Sequence, residues 1–465
     1  MKYFDVRGLE LSTSSAKALS AYNKSIAANA EYRISASKYM ERAIKEDPNF
    51  TMAYCVLGYY MMAAEAMAPE GMARTCLENA EATNLDKVTP RERASVMALR
   101  AWIEGRQDDA TVIWERILDE HPLDLLTMQL LHYRCFWLGK KESIRDSVSR
   151  YFAHWDPSMP NYSNVLGMYC FGLNENDDSA RGLEYGRRAI DLNKDDLWAV
   201  HAVSHVLNDR GEQYAGISFL DQFDKTWVDR NAIREHLWWH EALLWWELGD
   251  FKKTLELYDY HFAKNITPFY LDVQNSASML WRLESVGIDV GNRWMQISDA
   301  AIKRIDYRYL PWTDVHVAMT LGRTGQKSEL NGLLGMIQAD KTKIRNARMY
   351  SAYETNSAVC HAISSYCSGD YSTALDNLLS VRSDNFRPLG ASNVQRDVIA
   401  MMAGIAALKA KEFATARSVF AQRLEAKPSN KMTWLFYADA AEGCGDKDAA
   451  KSARAMATTI VGAKT

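Results

Sequence analysis

Apolar residues recur along this chain at the three- and four-residue spacing of amphipathic helices, in segments that come in pairs. One pair is RERASVMALRAWIEG and DDATVIWERILDEHP, joined by a turn at Gly105 and ended by Pro122. The next pair ends at Pro157, 35 residues further on. A period near 34 residues is typical of tetratricopeptide repeats, in which two helices form one unit. The pattern predicts roughly ten to twelve helical pairs and no convincing strand.

The predicted pairs run through nearly the whole chain, beginning with a helix that Ser14 or Ser15 would cap. Residues 1–14 look irregular, and two glycines in ESVGIDVGN predict a longer, less regular connection at about 264–300. The expected fold is all-α. It is a single tetratricopeptide-like superhelix, or α-solenoid, over residues 1–465, strongly curved around an inner pocket.

Composition and charge narrow the class of protein. The net charge of −4 predicts no general attraction to nucleic acid or to an anionic membrane. The sequence contains no apolar run of about 18 residues, and its start lacks the apolar core of a signal peptide. The seven cysteines are an odd number and scattered, as is typical of reduced, buried thiols. We therefore expect a cytoplasmic protein that binds neither nucleic acid nor membrane.

Two histidine pairs are the main candidates for chemistry. His201 and His205 lie in WAVHAVSHV, and His236 and His240 lie in HLWWHEALLWWELGD. Residues four apart share one face of a helix, and the second pair follows the first by 35 residues, so both fall at equivalent places in successive repeats. Four imidazoles on neighbouring first helices would converge on one metal ion or hold a substrate between them. The alternative is that they pack in the inner wall and hydrogen-bond to nearby carboxylates or carbonyls.

Further candidates surround these pairs. His316, in LPWTDVHVAM, could serve as a general base whose ring Asp314 or another carboxylate orients; the alternative is a histidine that simply packs. Trp198 and Trp239 belong to a group of tryptophans around the pairs. Such helices are mainly core, but part of this group would suit the wall of a small-molecule cavity.

The segment 387–398, RPLGASNVQRDV, reads as a loop entering a helix that Ser392 or Asn393 would cap. Arg396 does not suit the positive end of that helix. We therefore expect Arg396 to point elsewhere, toward an anionic group in the interior, with a surface arginine as the alternative. Asn393 and Arg396 are counted with Trp198 and Trp239 as candidate substrate-binding residues.

Several of these segments together resemble the tetratricopeptide repeat protein 38 family over nearly the whole length. The segments are DVRGLELSTSS, LGMYCFGLNEN, AIDLNKDDLWAVHAVSHVLNDRG, HLWWHEALLWWELGD, LYD, DVHVAM and LGASNVQRDV. The resemblance implies the helical-repeat fold and marks the five histidines at 201, 205, 236, 240 and 316 as shared positions. It supplies no reaction. The last motif of the family carries a histidine after the serine, where this chain has Asn393.

The favoured function is the binding of a small molecule in the inner channel, with the histidines as acid, base or ligand groups. No nucleotide or redox cofactor motif appears, so hydrolase or lyase chemistry would be the most economical activity, although the sequence does not decide whether the protein is an enzyme. A divalent metal is the one cofactor suggested, with the four paired histidines as its ligands. The alternative is a protein–protein interaction scaffold, the commonest use of such repeats. The sequence leaves open a structural metal, a protein partner and a homo-oligomer.

Overall fold

The structure, a computed structural model, describes residues 2–64, 69–223, 227–308, 310–343, 346–381 and 384–460. Within these residues the chain forms twenty-four α-helices and one very short β-hairpin. Taken in order, the helices make twelve successive pairs, so the prediction of an all-α, tetratricopeptide-like helical-repeat fold is confirmed.

The first twelve helices are α1 (Ala16–Ala30), α2 (Ala36–Glu46), α3 (Thr51–Ala63), α4 (Pro69–Ala82), α5 (Pro90–Ile103), α6 (Gln107–Glu120), α7 (Leu125–Trp137), α8 (Lys141–Ser149), α9 (Tyr162–Asn174), α10 (Ser179–Leu192), α11 (Leu197–Asp209) and α12 (Gln213–Leu220). The others are α13 (Ile233–Leu248), α14 (Phe251–Leu257), α15 (Tyr270–Ser285), α16 (Arg293–Arg304), α17 (Pro311–Arg323), α18 (Lys327–Lys343), α19 (Ala347–Ser368), α20 (Tyr371–Ser380), α21 (Asn393–Lys409), α22 (Phe413–Ala426), α23 (Lys431–Gly443) and α24 (Lys447–Thr459).

The N-terminal segment corrects the expectation that the chain contains no strand. Strand β1 (Tyr3–Phe4) pairs antiparallel with β2 (Glu10–Leu11). The Asp5 carboxylate closes the turn by accepting hydrogen bonds from the backbone N–H groups of Arg7 and Leu9, at 2.8 and 2.9 Å. Two-residue strands are too short to show an alternating pattern, which is why the sequence did not indicate them.

The segment at about 264–300 corrects a second expectation. Instead of a long irregular connection it holds the helix pair α15 and α16. Gly287 and Gly291, taken from the sequence as signs of that connection, lie in the turn between these helices with φ of +80° and +57°. Glycine adopts this left-handed backbone without a Cβ penalty, so the two glycines mark a tight connection between helices.

The described residues cluster into two compact units. Unit 1 comprises 1–136, 140–206 and 223–234, and unit 2 comprises 137–139, 207–222 and 235–465. The expectation that residues 1–465 form a single domain stays a prediction. Among the described residues, no helix is both long and apolar enough to cross a membrane.

Within unit 2, the first helices of successive pairs are joined by side-chain hydrogen bonds. Trp239 on α13 donates to Ser278 on α15 at 3.1 Å, and Gln274 on α15 donates to Thr313 on α17 at 2.9 Å. Asn356 on α19 donates to Asp314 on α17 at 2.7 Å. We call α13, α15, α17 and α19 the first-helix row. Its bonded side chains are all buried, so the row presents a polar interior within unit 2.

Several contacts bring distant parts of unit 2 together, among them the following two. Lys427 donates to Asn208 and to the carboxylate of Glu247, both at 2.8 Å, across 219 and 180 residues of chain. In the second contact, the turn that ends at Gly139 lies against the turn from Arg387 to Gly390. Both of these glycines have a left-handed backbone, with φ of +65° and +76°.

Candidate ligand and metal-binding site

The first histidine pair lies on α11 in unit 1. The helix begins at a buried carboxylate: Asp196 accepts hydrogen bonds from the N–H of Ala199 and from the amide of Asn164, both at 3.0 Å. Burial raises the pKa of Asp196 to about 7. One turn into the helix, the Nε2 atoms of His201 and His205 lie 3.0 Å apart, with their rings nearly perpendicular. The predicted shared face of this pair is confirmed.

This Nε2–Nε2 distance has two chemical explanations. In the first, Nε2 of one ring carries a proton and donates a hydrogen bond to Nε2 of the other ring. In the second, both lone pairs point at a cation. Zinc–nitrogen bonds of about 2.0–2.1 Å from atoms 3.0 Å apart would meet at roughly 95°, which metal coordination tolerates. The spacing of His201 and His205 therefore suits a two-nitrogen chelate.

Aromatic rings surround the first pair. Trp198 lies 4.7 Å from His201, and Phe171 lies 5.9 and 5.1 Å from His201 and His205, measured between ring centroids. Trp198 also stacks on Tyr32 at 5.4 Å. Its position beside a histidine fits the predicted cavity wall, but its stacking fits the core alternative equally well. Its binding role stays a prediction.

His132 also belongs to the group of rings around the first pair, and no sequence pattern indicated it. Its ring lies 5.8 Å from Phe171 and 6.2 Å from Trp198. Its Nδ1–H donates to the carbonyl of Ile144 at 3.1 Å, and burial lowers the pKa of His132 to about 4. A lone histidine in LLHYR has no spacing partner, so no pattern singled it out.

The second pair lies on α13 in unit 2. The His236 and His240 rings are 4.7 Å apart, and both are buried. His236 Nδ1–H donates to Asn275 Oδ1 at 2.8 Å, which fixes the tautomer and leaves Nε2 with its lone pair. An oriented, neutral imidazole of this kind is the usual form of a histidine metal ligand. Burial lowers the pKa of His236 to about 4, so it is neutral at pH 7. All four paired histidines are buried, and each offers one ring nitrogen as a ligand.

Trp239 is fixed beside this second pair. It stacks on His236 at 5.1 Å and donates from Nε1 to Ser278. The guanidinium of Arg282 lies over its ring at 5.7 Å. The sequence indicated Trp239 but neither Asn275 nor Arg282, because both lie in the segment expected to be irregular.

His316 is held differently from the sequence-based expectation. Its Nδ1–H donates to the carbonyl of Trp312 at 2.8 Å, and burial lowers the pKa of His316 to about 4. Asp314 instead accepts from Asn356 on α19, so Asp314 does not orient the ring. Residues two apart on a helix point about 200° apart, which explains this correction. Burial raises the pKa of Asp314 to about 7. The catalytic roles of His316 and Asp314 stay predictions.

The segment 387–398 enters α21 through a capping box in which Ser392 and Gln395 hydrogen-bond reciprocally. The sequence offered Ser392 or Asn393 as the cap. Ser392 is the cap, and Asn393 is the first residue of the helix. Arg396 is buried, which excludes the surface alternative. It donates to the carbonyls of Gly390 and Ala391 and to Asn393 Oδ1. These contacts are local. The ligand-binding roles of Arg396 and Asn393 stay predictions.

Unit 2 also carries a partly open pocket of about 250 Å³ beside the C-terminal ends of α15, α17 and α19. The Lys409 ammonium lies 5.5 and 4.9 Å from the ring centroids of Tyr366 and Tyr371. Arg323 pairs with Glu284 at 2.7 Å on another side. We call this the tyrosine pocket. No sequence pattern indicated this pocket, because its residues come from separate helices.

No family model matches the chain. Similar solved structures include a monomeric IFIT1 mutant with Gppp-AAAA, at 11% identity, 96% of each chain and a TM-score of 0.41. The human IFIT1 dimer with m7Gppp-AAAA matches at 11% identity over 96% of this chain and 89% of that chain, with a TM-score of 0.36. Naa15/Naa10 bound to HypK-THB matches at 11% identity over 95% and 68%, with a TM-score of 0.25. Likenesses this distant carry no conclusion about ligand, partner or activity.

Proposed function

We propose that the protein acts by binding, as a helical-repeat framework that holds a partner protein. The observation that carries this proposal is the tyrosine pocket. Two tyrosine rings, Trp281, a lysine and an Arg–Glu pair line an opening of a size that accommodates one or two side chains. Tyrosine, tryptophan and arginine are the residues that most often carry binding energy at protein interfaces. Helical-repeat architectures commonly serve this role.

Replacing Lys409 by alanine should weaken partner binding about tenfold, because the pocket loses the cation that spans both tyrosine rings. The partner is first isolated from the native cells by its co-purification with the tag-free protein. It is identified as a protein that co-purifies at a fixed stoichiometry. Its affinity for the wild type and for K409A is then measured by calorimetry. Lys451→Ala, at an exposed lysine of α24, is the matched control. An isolated partner that binds K409A as tightly as the wild type would contradict the proposal.

A second function is favoured by one specific observation, the 3.0 Å separation of the His201 and His205 Nε2 atoms. We propose that the histidine pairs bind a divalent transition metal. Metal ligation requires a neutral imidazole, and the lowered pKa of His236 supplies one at pH 7 without a proton being lost. A general acid would need the protonated ring. The lowered pKa of His236 therefore favours a ligand role over acid catalysis for this residue.

Tag-free protein should contain a bound transition metal, measured by elemental analysis together with native mass spectrometry. One ion per chain corresponds to the predicted convergence of four histidines, and two ions correspond to independent pairs. His205→Ala should weaken metal binding by at least about tenfold, because it removes one of two chelating nitrogens. His261→Ala, at an exposed histidine, should leave the metal content unchanged. A content far below one ion per chain would rule out the metal site.

The finer identity remains a proposal. The motifs quoted above support membership of the tetratricopeptide repeat protein 38 family. The buried, polar first-helix row supports the proposal that the protein binds a small molecule. Hydrolase or lyase activity would follow if a bound metal activated water toward such a ligand. Metal content and turnover are therefore separate questions, and the first is measured before the second.

A further inference from the structure

Arg282 carries a buried positive charge in unit 2. It lies near the C-terminal end of α15 and is completely buried. Nη1 donates to the Ser278 carbonyl at 3.1 Å, but Nε and Nη2 have no hydrogen-bond partner among the described residues. A buried charged donor without an acceptor is among the costliest arrangements in a protein interior.

No carboxylate of the described residues lies within ion-pair distance of this guanidinium. The acidic groups that influence it from further away are already paired. Asp397 is bonded to Arg423 at 3.0 Å, and Glu247 is bonded to Lys427 at 2.8 Å. Burial lowers the pKa of Arg282 to about 10, so the side chain keeps its positive charge at pH 7. Unit 2 therefore holds a permanent interior charge that its own carboxylates do not neutralise directly.

Other buried donors of the first-helix row also lack acceptors. Asn275 Nδ2 is unpartnered and lies seven residues before Arg282, on the same face of α15. Trp312 Nε1 is unpartnered on α17, four residues before His316, whose ring lies within electrostatic range of Arg282. Trp239 lies under the guanidinium face. Gln274 Oε1 and Ser276 Oγ on α15 are also unpartnered among the described residues and can accept hydrogen bonds, but the donors of Arg282, Asn275 and Trp312 outnumber them. This excess of donors beside a positive charge calls for acceptor oxygens.

The two unpartnered donors of Arg282 specify the shape of the acceptor. Nε and Nη2 lie on the same edge of the planar guanidinium, and their N–H groups point in parallel. This edge matches the two oxygens of a carboxylate or of a phosphate group. We propose that Arg282 binds the oxyanion group, carboxylate or phosphate, of a small organic ligand in the interior of unit 2. The proposal does not depend on the partner protein or on the metal ion.

Thermal unfolding with simple anions tests this site. The probes are inorganic phosphate and acetate, each compared with chloride at matched ionic strength. The wild type should gain about 3 °C or more in melting temperature with at least one probe. Phosphate alone, acetate alone, or both identify the group that the site prefers. If neither probe raises the melting temperature above that in chloride, the proposal is wrong.

Two substitutions connect the response to Arg282. Arg282→Met removes the charge and keeps much of the volume, so it should raise the melting temperature without probe and abolish the response to the anion. Arg282→Lys keeps the charge but loses the pair of parallel N–H groups, so it should reduce the response to the anion. This variant provides the test if the methionine variant does not fold. Arg304→Lys is the matched control, because Arg304 is equally buried but donates to the carbonyls of Pro268 and Tyr307. A full response in either Arg282 variant would overturn the proposal.

Discussion

Replacing Gly139 by alanine should destabilise unit 2 by about 4 kcal/mol, the sum of backbone strain and an overlap with the facing turn. Gly139 has a φ of +65°, and a Cβ there would overlap the carbonyl oxygen of Arg387. Gly390, in the facing turn, is constrained reciprocally by the carbonyl of Trp137. Because each turn presses backbone against backbone, no side-chain rotation can relieve the clash.

The measurement is the urea concentration at the midpoint of unfolding, compared with that of Gly325→Ala. Gly325 also lies in a helix–helix turn of unit 2 with a φ of +71°, but a Cβ there meets nothing within 4 Å. Gly325→Ala should therefore lose only the stability that the left-handed backbone costs an alanine, about 1–2 kcal/mol. Equal losses in the two variants would show that the contact between the turns does not constrain Gly139.

Replacing Asp314 by asparagine should change the pH dependence of stability by roughly 3 kcal/mol between pH 5 and pH 8. Burial raises the folded-state pKa of Asp314 to about 7, above the usual value of 3.8. Between these values the folded chain keeps a proton that the unfolded chain has lost. The stability that this proton supplies is fully present below about pH 4 and is lost as the pH rises through 7.

Asparagine stays neutral and can still accept the hydrogen bond from Asn356. The variant should therefore gain stability over the wild type as the pH rises from 5 to 8, measured by urea unfolding at both values. Taking the difference between the variant and the wild type cancels the titration of His236 and His316. Asp306→Asn, an exposed carboxylate before α17, is the control and should give the same difference at both pH values. A constant offset for D314N would show that Asp314 is already ionised at pH 5.

The sequence predicted the parts of the fold and site that depend on local spacing. The interval of four residues placed His201 beside His205, and the interval of 35 residues placed both pairs on the first helices of successive pairs, α11 and α13. Both intervals are properties of helices and helical repeats, so they survive folding unchanged.

The remaining site residues could not be predicted, because their importance arises from contacts between helices. Asn275 matters because it meets His236, 39 residues earlier in the chain. Arg282 stands out because it is buried without a carboxylate, and no sequence pattern encodes the absence of a partner. The expected pairing of Asp314 with His316 failed for the opposite reason, since closeness in sequence was mistaken for closeness on the helix surface.

The bond between Lys427 and Glu247 constrains the order in which the chain can mature during synthesis. Glu247 is 1% exposed in the folded protein, and the lysine that balances its charge follows 180 residues later. At a synthesis rate of about 5–20 residues per second, roughly 10–40 seconds separate the appearance of the two residues. Until Lys427 appears, the Glu247 carboxylate has to stay hydrated. The tryptophan-rich helix α13 that carries it therefore cannot be fully buried. We therefore expect the tryptophan-rich helix α13 to stay exposed in the nascent chain throughout this interval.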